Sequence, residues 1–169
     1  MELKEVLLKR RSIRKFTDQT VSKEMISELL HAAMSGPSAC NKRPWQFYVI
    51  TNQDIINSLK AASRFSKIEA KLAIVVCGDL TRGLPRAVSL YWIQDCSAAT
   101  ENILLRATDL GLGTCWCGVH PQKMAEEKVS EILNLNEKQI PLNIIWIGYA
   151  DEQIEARDQY EEDRVIYID

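Results

Sequence analysis

The first residues able to do chemistry form a basic segment near the N-terminus. Residues 9–15, KRRSIRK, place five cations and one hydroxyl in seven positions of a 169-residue chain whose formal net charge is −2. Arginine offers a planar fork of N–H donors that matches the oxygens of a phosphate monoester. Charge-assisted hydrogen bonds contribute roughly 1.5–3 kcal/mol each, so three arginines would anchor one phosphorylated ligand. The alternative is a solvated helix end, where the helix dipole favours cations.

Other kinds of catalytic site lack necessary parts. Cys115, Cys117 and His120 are spaced C-x-C-x-x-H, which differs from the paired C-x-x-C of zinc sites, and a fourth ligand is not apparent. The chain has two histidines, and Ser38 lacks the nucleophile elbow of a hydrolase. No G-x-G-x-x-G or P-loop follows a predicted strand. A bound cofactor that carries its own reactivity is therefore favoured, with no metal and no catalytic side chain.

Composition narrows the class of protein. With 46% hydrophobic residues, the chain is expected to form a single domain over residues 1–169. A pI near 5.8 without a second basic cluster argues against a nucleic-acid partner. No apolar run approaches the ~18 residues of a membrane span, and the N-terminus does not resemble a signal peptide. The five scattered cysteines do not suggest a disulfide framework. We expect a cytoplasmic protein without a membrane partner.

The elements that position these residues alternate between helices and apolar strands. Helices are predicted over residues 2–10, 22–34, 52–61, 89–113 and 121–133, with Ser22 capping the second, Gly111 ending the fourth and Pro121 in the first turn of the fifth. Strands are predicted over residues 45–51, 71–79, 114–119, 142–150 and 164–169. This alternation predicts a mixed sheet covered by helices on both faces. The last strand has no evident hairpin partner.

Four segments, taken together, resemble the nitroreductase family of FMN-dependent oxidoreductases. They are RRSIRKF at 10–16, GPSACNKRPWQF at 36–47, QDCSAATENILLRATDLGLGTCW at 94–116 and IPLNIIWIGYADE at 140–152. The resemblance runs nearly end to end and is to the short bacterial members. It implies an α+β fold, a three-layer α-β-α sandwich with a mixed central sheet. It also implies an intertwined homodimer in which the C-terminal strand joins the partner's sheet and two FMN molecules lie between the subunits.

The resemblance also assigns cofactor-binding residues. The R-R-S-x-R pattern of the family grips the flavin phosphate and ribityl chain, which implies Arg10, Arg11, Ser12 and Arg14. The P-S-x-x-N pattern approaches from the other subunit, and the segment after G-L-G passes along the flavin ring near N5, mainly through its backbone. These patterns imply Pro37, Ser38, Ala39 and Asn41, and then Cys115, Trp116, Cys117 and Gly118.

The sequence departs from the family pattern at two places. Family members usually complete the phosphate site with two basic residues near the C-terminus, and here Arg157 is kept while Gln159 stands at the second position. Arg43 replaces the commoner glutamine before Pro-Trp. Many members also place a Lys or Asn over the N1–C2 edge of the flavin, and Arg64 and Lys67 lie in the corresponding region of the sequence.

The expected function is a ping-pong hydride transfer through flavin N5. NADH or NADPH is the reductant, and a nitroaromatic, a quinone or a similar flat molecule is the acceptor. Relatives of the same fold carry out different flavin chemistry, so enone reduction and dehalogenation are alternative reactions within the enzyme class. A flavin-binding redox sensor with little turnover is an alternative of another class. A nucleic-acid or partner-binding domain that uses residues 9–15 is the third.

Overall fold

The computed structural model describes residues 1–62, 68–85 and 89–168 of the chain. Arg64 and Lys67, the two candidates for the N1–C2 edge of a flavin, lie outside the described residues. The helices are α1 (Leu3–Lys9), α2 (Lys23–Met34), α3 (Gln53–Ala62), α4 (Tyr91–Asp109) and α5 (Lys123–Leu133). The strands are β1 (Trp45–Ile50), β2 (Leu72–Asp79), β3 (Gly113–Gly118) and β4 (Gln139–Gly148). None of the helices in the described residues is long and apolar enough to cross a membrane.

The strands form one sheet in the order β1-β2-β4-β3. Each neighbouring pair is antiparallel, with Trp45 opposite Gly78, Leu72 opposite Ile147 and Gly113 opposite Gly148. Parallel pairing among the described residues is limited to a single bridge between Ser12 and Thr114, beside β3. The sheet was predicted to be mixed, but its four strands are antiparallel throughout. The parallel pairing is the bridge between the basic segment and β3.

Helices cover both faces of the sheet, which confirms the α+β class and the three layers. One core cluster joins α2 and α4 to the face of β2 that carries Ile74 and Val76. The second cluster joins α3 and α5 to the opposite face, which carries Val75 and Cys77. Because β2 is covered on both sides, its residues through Gly78 are buried, as a continuous apolar run predicts.

Local signals in the sequence account for several helix boundaries. The Ser22 side chain accepts a hydrogen bond from Met25 N–H at 3.2 Å and caps α2, as predicted. The central helix α4 ends at Asp109, and Gly111 follows with φ of +76°. A residue without a side chain adopts this left-handed conformation readily, so the predicted position of the helix end is confirmed.

Helix α5 and strand β4 begin at other residues than predicted. Helix α5 begins at Lys123, so Pro121 lies before the helix and not in its first turn. Strand β4 begins at Gln139, three residues earlier than predicted, and contains Pro141. Pro141 lies opposite Cys77, where the β2–β4 register shifts. A proline is tolerated at such an irregularity because a regular ladder hydrogen bond is already interrupted there.

The C-terminal segment runs outside the sheet of its own chain. Residues 149–157 lie along the basic segment, and a short 3₁₀ turn follows at Glu162–Arg164. Beyond it the chain is extended at Val165 but does not pair with a strand of the described residues. The predicted exchange of this segment between two copies of the chain stays a prediction.

Candidate cofactor-binding site

The basic segment leaves α1 and runs beside the first residues of β3. Arg10 closes the helix, its N–H donating to the Val6 carbonyl at 2.9 Å. Ile13 N–H then donates to the Thr114 carbonyl at 2.8 Å, within the parallel bridge between Ser12 and Thr114. Pairing with β3 thus fixes the backbone of the basic segment at Ser12 and Ile13. The arginines predicted to bind the phosphate lie on either side of these residues: Arg10 and Arg11 before them, and Arg14 after them.

Each of the three arginines has a contact within the chain that leaves donors free. Arg10 Nε lies 3.3 Å from Glu101 Oε1, Arg11 donates through one Nη to the Glu155 carbonyl, and Arg14 Nη1 lies 3.3 Å from the Ser12 carbonyl. A guanidinium has five N–H donors, so each side chain keeps several for a ligand. The donor set therefore fits a phosphate monoester, which accepts several charge-assisted hydrogen bonds at once.

The segment that follows β4 holds the basic segment from the other side. Glu152 Oε1 accepts from Arg14 N–H at 2.5 Å and from Lys15 N–H at 3.1 Å. These backbone hydrogen bonds, followed by the nearby positive charges, lower the pKa of Glu152. Arg157 N–H donates to the Leu8 carbonyl at 3.1 Å, so Arg157 belongs to the same neighbourhood as the three arginines. Gln159 is exposed two residues further on.

The loop with the predicted residues Pro37, Ser38, Ala39 and Asn41 is held by α4. Asp95, which is buried at 6% exposure, accepts a hydrogen bond from Ala39 N–H at 2.8 Å. The loop contains a 3₁₀ turn in which Cys40 and Asn41 have φ of +50° and +51°. Non-glycine residues in this region cost free energy that surrounding contacts must offset. Asp95 supplies such a contact.

Strand β3 is an edge strand whose outer side offers backbone donors. Cys115 and Cys117 pair with β4, and Val119 N–H continues this series by donating to the Leu142 carbonyl at 2.9 Å. The Thr114 carbonyl points the opposite way, towards Ile13. Because N–H and C=O groups alternate in direction along an antiparallel strand, those of Trp116 and Gly118 also point away from the sheet.

The side chains of β3 divide between the core and the surface. Cys115 and Cys117 are each 4% exposed and pack in the cluster beneath α3 and α5. A hydrogen bond from Cys117 lowers the pKa of the Cys115 thiol, whereas the same bond and burial raise the pKa of Cys117. Trp116 lies on the other face and is 36% exposed, and a Cβ at Gly118 would meet no atom within 4 Å. Trp116 and Gly118 therefore border open space.

The zinc interpretation of Cys115, Cys117 and His120 gains no support. In the part of the chain that the structure describes, no group of three His, Cys, Asp or Glu residues could hold a metal ion. His120 Nδ1 instead lies 2.7 Å from Glu126 Oε1 on α5.

One chain thus brings together the basic segment, the outer edge of β3 and the segment from 149 to 157. The loop at 36–43 is placed by its own contacts with α4, and its predicted approach to the cofactor of another subunit stays a prediction. Sequence reasoning missed three acidic residues that organise the site: Asp95, Glu101 and Glu152. The one available signal was Asp95, a charged residue within the largely apolar buried stripe of α4.

Comparison with known proteins identifies the family. The sequence profile of the nitroreductase family matches residues 7–76 and 67–149. A protein of Methanothermobacter thermautotrophicus, provisionally named an NADH dehydrogenase/NAD(P)H nitroreductase, is 38% identical over 98% of this chain and 86% of its own length. The chain therefore belongs to the nitroreductase family, a class of oxidoreductase enzymes.

Two solved structures share the fold. An FMN-dependent nitroreductase of Clostridium difficile R20291 is 33% identical, with a TM-score of 0.88 over 97% of this chain and 98% of the other. A protein of Desulfovibrio desulfuricans, provisionally named a nitroreductase and solved in complex with FMN, is 25% identical. Its TM-score is 0.85 over 100% of this chain and 98% of the other.

Proposed function

We propose that this protein is an FMN-dependent NAD(P)H oxidoreductase that reduces nitroaromatics, quinones or similar flat acceptors. The observation that carries the proposal is the placement of three arginines beside an edge strand with free backbone donors. The arginines suit a phosphate group, and the backbone donors of the edge strand suit the heteroatoms of a planar ring. The relative of D. desulfuricans solved with FMN has the same fold over the whole chain, which supports this cofactor.

The basic segment holds the phosphate end of the cofactor in this proposal. Arg10, Arg11 and Arg14 supply guanidinium donors, Ser12 supplies a hydroxyl, and Arg157 approaches from the C-terminal segment. The carbonyl and carboxylate contacts described above restrict the arginines before any ligand binds. Such restriction lowers the entropy lost on binding and raises the affinity for the phosphate.

The outer edge of β3 orients the ring. Trp116 and Gly118 direct N–H groups away from the sheet, where they can donate to acceptor atoms at the edge of an isoalloxazine. FMN, when bound, supplies the hydride chemistry that links NAD(P)H to the acceptor, in two half-reactions at one site. The chain itself positions the reactants, excludes water and supplies positive potential that stabilises negative charge on a reduced ring. No side chain is required to act as a nucleophile.

A second copy of the chain completes the site. The loop with Pro37, Ser38, Ala39 and Asn41 is proposed to approach the cofactor bound by the partner. The C-terminal residues fit an exchange between copies because they are apolar and uncovered, with Ile166 at 85% and Ile168 at 93% exposure. The five free cysteines suit a reducing compartment, and we place the enzyme in the cytoplasm.

Spectroscopy tests the proposed activity. The purified protein is expected to be yellow, or to become yellow with added FMN. The flavin band should bleach with NADH or NADPH without oxygen and return when a nitroaromatic is added. A protein that cannot be reconstituted with FMN would refute the proposal. Slow NAD(P)H oxidation with every acceptor tried, despite bound FMN, would favour the redox-sensor alternative.

Two variants test the phosphate assignment. Arg10→Ala and Arg14→Ala should each weaken FMN binding by about tenfold or more, which corresponds to about 1.4 kcal/mol or more. Fluorescence titration of the apoprotein with FMN measures the change. Lys9→Ala is the matched control, because Lys9 belongs to the same cluster but pairs with Glu5 at 2.6 Å on α1. If both arginine variants bind FMN as Lys9→Ala does, the phosphate does not lie here.

A further inference from the structure

A second cationic pocket lies apart from the basic segment. It has a volume of about 300 Å³ and is formed where the end of α2 meets β1 and the turn after β2. Arg43 and Arg82 line it together with Trp45, Phe47 and Met34. We call it the Arg43–Arg82 pocket. Arg43 is the residue at which the sequence departs from the commoner glutamine, and the proposed function gives it no role.

The two guanidinium groups lack partners within the described residues. Each backbone N–H is engaged, Arg43 with Ser38 Oγ at 3.0 Å and Arg82 with the Asp79 carbonyl at 3.1 Å. Both side chains are exposed, and neither forms a hydrogen bond or ion pair in residues 1–62, 68–85 and 89–168. Thr81 engages one oxygen of the Asp79 carboxylate, Oδ1, which accepts from the Thr81 N–H at 3.0 Å and from its hydroxyl at 2.6 Å. Two exposed cations therefore line one pocket without an ion-pair partner among the described residues.

The backbone fixes the two arginines at the same end of the β1–β2 pair. Asp79 N–H donates to the Pro44 carbonyl at 2.6 Å, and Trp45 lies opposite Gly78. Arg43 has φ of +48°, a conformation that is costly for a residue with a side chain. The hydrogen bond from its N–H to Ser38 Oγ helps to hold it there. Backbone strain that is kept in place by specific contacts is often associated with binding sites.

The lining of the pocket indicates the chemistry of its ligand. Trp45 is 6% exposed and forms a rigid wall, and Phe47 is half-buried. Two guanidinium groups suit a phosphate or a carboxylate, and aromatic walls suit an attached ring or sugar. A volume near 300 Å³ is at the lower limit for small-molecule sites. It admits a fragment the size of a benzoate or a ribose phosphate, but not a whole dinucleotide.

We propose that the Arg43–Arg82 pocket binds the anionic end of a substrate of this enzyme. This inference rests on the proposed function, because the pocket adjoins the loop that includes Asn41, two residues before Arg43. The shared chemistry is a phosphate or carboxylate on a flat or cyclic group. Two sources supply it: the 2′-phosphate of NADPH, or an acidic substituent on the acceptor.

Paired substrates distinguish the two sources. The reductant arm compares kcat/KM for NADPH and NADH, which differ by the 2′-phosphate. The acceptor arm compares 4-nitrobenzoate with neutral 4-nitrobenzamide. Arg43→Gln and Arg82→Gln should each lower kcat/KM by about tenfold for NADPH or for 4-nitrobenzoate, the member of one pair that carries the additional anionic group. The other member of that pair should stay within about twofold. Lys123→Gln, on the opposite face of the sheet, removes the same charge and should change neither ratio.

A direct binding measurement separates this inference from the proposed function. Isothermal titration of the FMN-loaded protein with adenosine 2′,5′-bisphosphate and with 4-nitrobenzoate requires no turnover. The ligand that binds should bind about tenfold more weakly to Arg43→Gln and to Arg82→Gln. The proposal is overturned if neither probe distinguishes these variants from the parent protein and both kinetic ratios are unchanged. Absence of NAD(P)H oxidation in the parent protein would refute the proposed function, while the titration would still test the pocket.

Discussion

Replacing Gly118 by proline tests whether the outer edge of β3 binds the flavin through its backbone. Proline removes the N–H group of this residue, which points away from the sheet. The hydrogen bonds to β4 are made by alternate residues, namely Gly113, Cys115, Cys117 and Val119, and should remain. An edge strand tolerates proline where the N–H faces outwards, and a Cβ at Gly118 meets no atom within 4 Å. The apoprotein is therefore expected to fold.

The size of the effect follows from one lost hydrogen bond. A neutral hydrogen bond contributes about 0.5–1.5 kcal/mol net, so the Kd for FMN should rise by about 2- to 10-fold in Gly118→Pro. The proline ring also extends towards the position of the acceptor atom, which makes this range a lower bound. Gly118→Ala is the matched control, because it keeps the N–H and adds a methyl group in open space.

Fluorescence titration with FMN, together with thermal unfolding of both apoproteins, provides the measurement. A Gly118→Pro protein that unfolds at the same temperature as Gly118→Ala and binds FMN equally well would refute the reasoning. The flavin would then be oriented by other groups. If Gly118→Pro unfolds at a clearly lower temperature, the N–H of Gly118 does not point outwards, which would refute the alternation inferred along β3.

Two further predictions concern stability. In Gly78→Ala the new Cβ would lie within 3.0 Å of three ring atoms of Trp92, so urea unfolding should show a loss of at least about 1–3 kcal/mol, whereas Gly83→Ala, with no neighbour closer than 3.8 Å, should stay within about 0.5 kcal/mol of the parent. A Gly78→Ala protein as stable as the Gly83→Ala protein would contradict the packing described. Glu152 has a pKa lowered from 4.5 by two backbone N–H groups, so its stabilising effect is present above pH 4.5 and is lost as the pH falls through the lower folded pKa. Glu152→Gln should therefore be less stable than the parent at pH 7, with the difference shrinking below pH 4.5; a difference that does not depend on pH would show that the charge of Glu152 is not involved.

Much of the fold could be predicted because its signals are local. Ser22 caps α2 from three residues away, and Gly111 ends the central helix within its own turn. The continuous apolar run of β2 predicts that this strand is buried on both faces. The start of β4 was predicted too late because Pro141 usually excludes a central strand. Its tolerance depends on the register shift beside Cys77, which no local pattern reveals.

The candidate site likewise has residues that local sequence signals predict and residues that they do not. The arginines of the basic segment stand out because their charges are adjacent in the sequence. Asp95 and Glu152 could not be assigned, because each binds backbone N–H groups of residues more than fifty positions away. Every residue except proline has a backbone N–H donor. The residue type of the donor therefore does not show which carboxylate it will bind. The extended C-terminal residues were visible as a strand without a partner, and a single chain does not supply that partner.

The distribution of cysteines has a practical consequence for following this enzyme in solution. Cys40 is exposed, whereas Cys77, Cys96, Cys115 and Cys117 are buried. A brief reaction of the native protein with a maleimide fluorophore should therefore mark Cys40 first. The dye would sit between Ala39 and Asn41, in the turn that Asp95 holds against α4. It would report on the surroundings of that turn without any engineered residue.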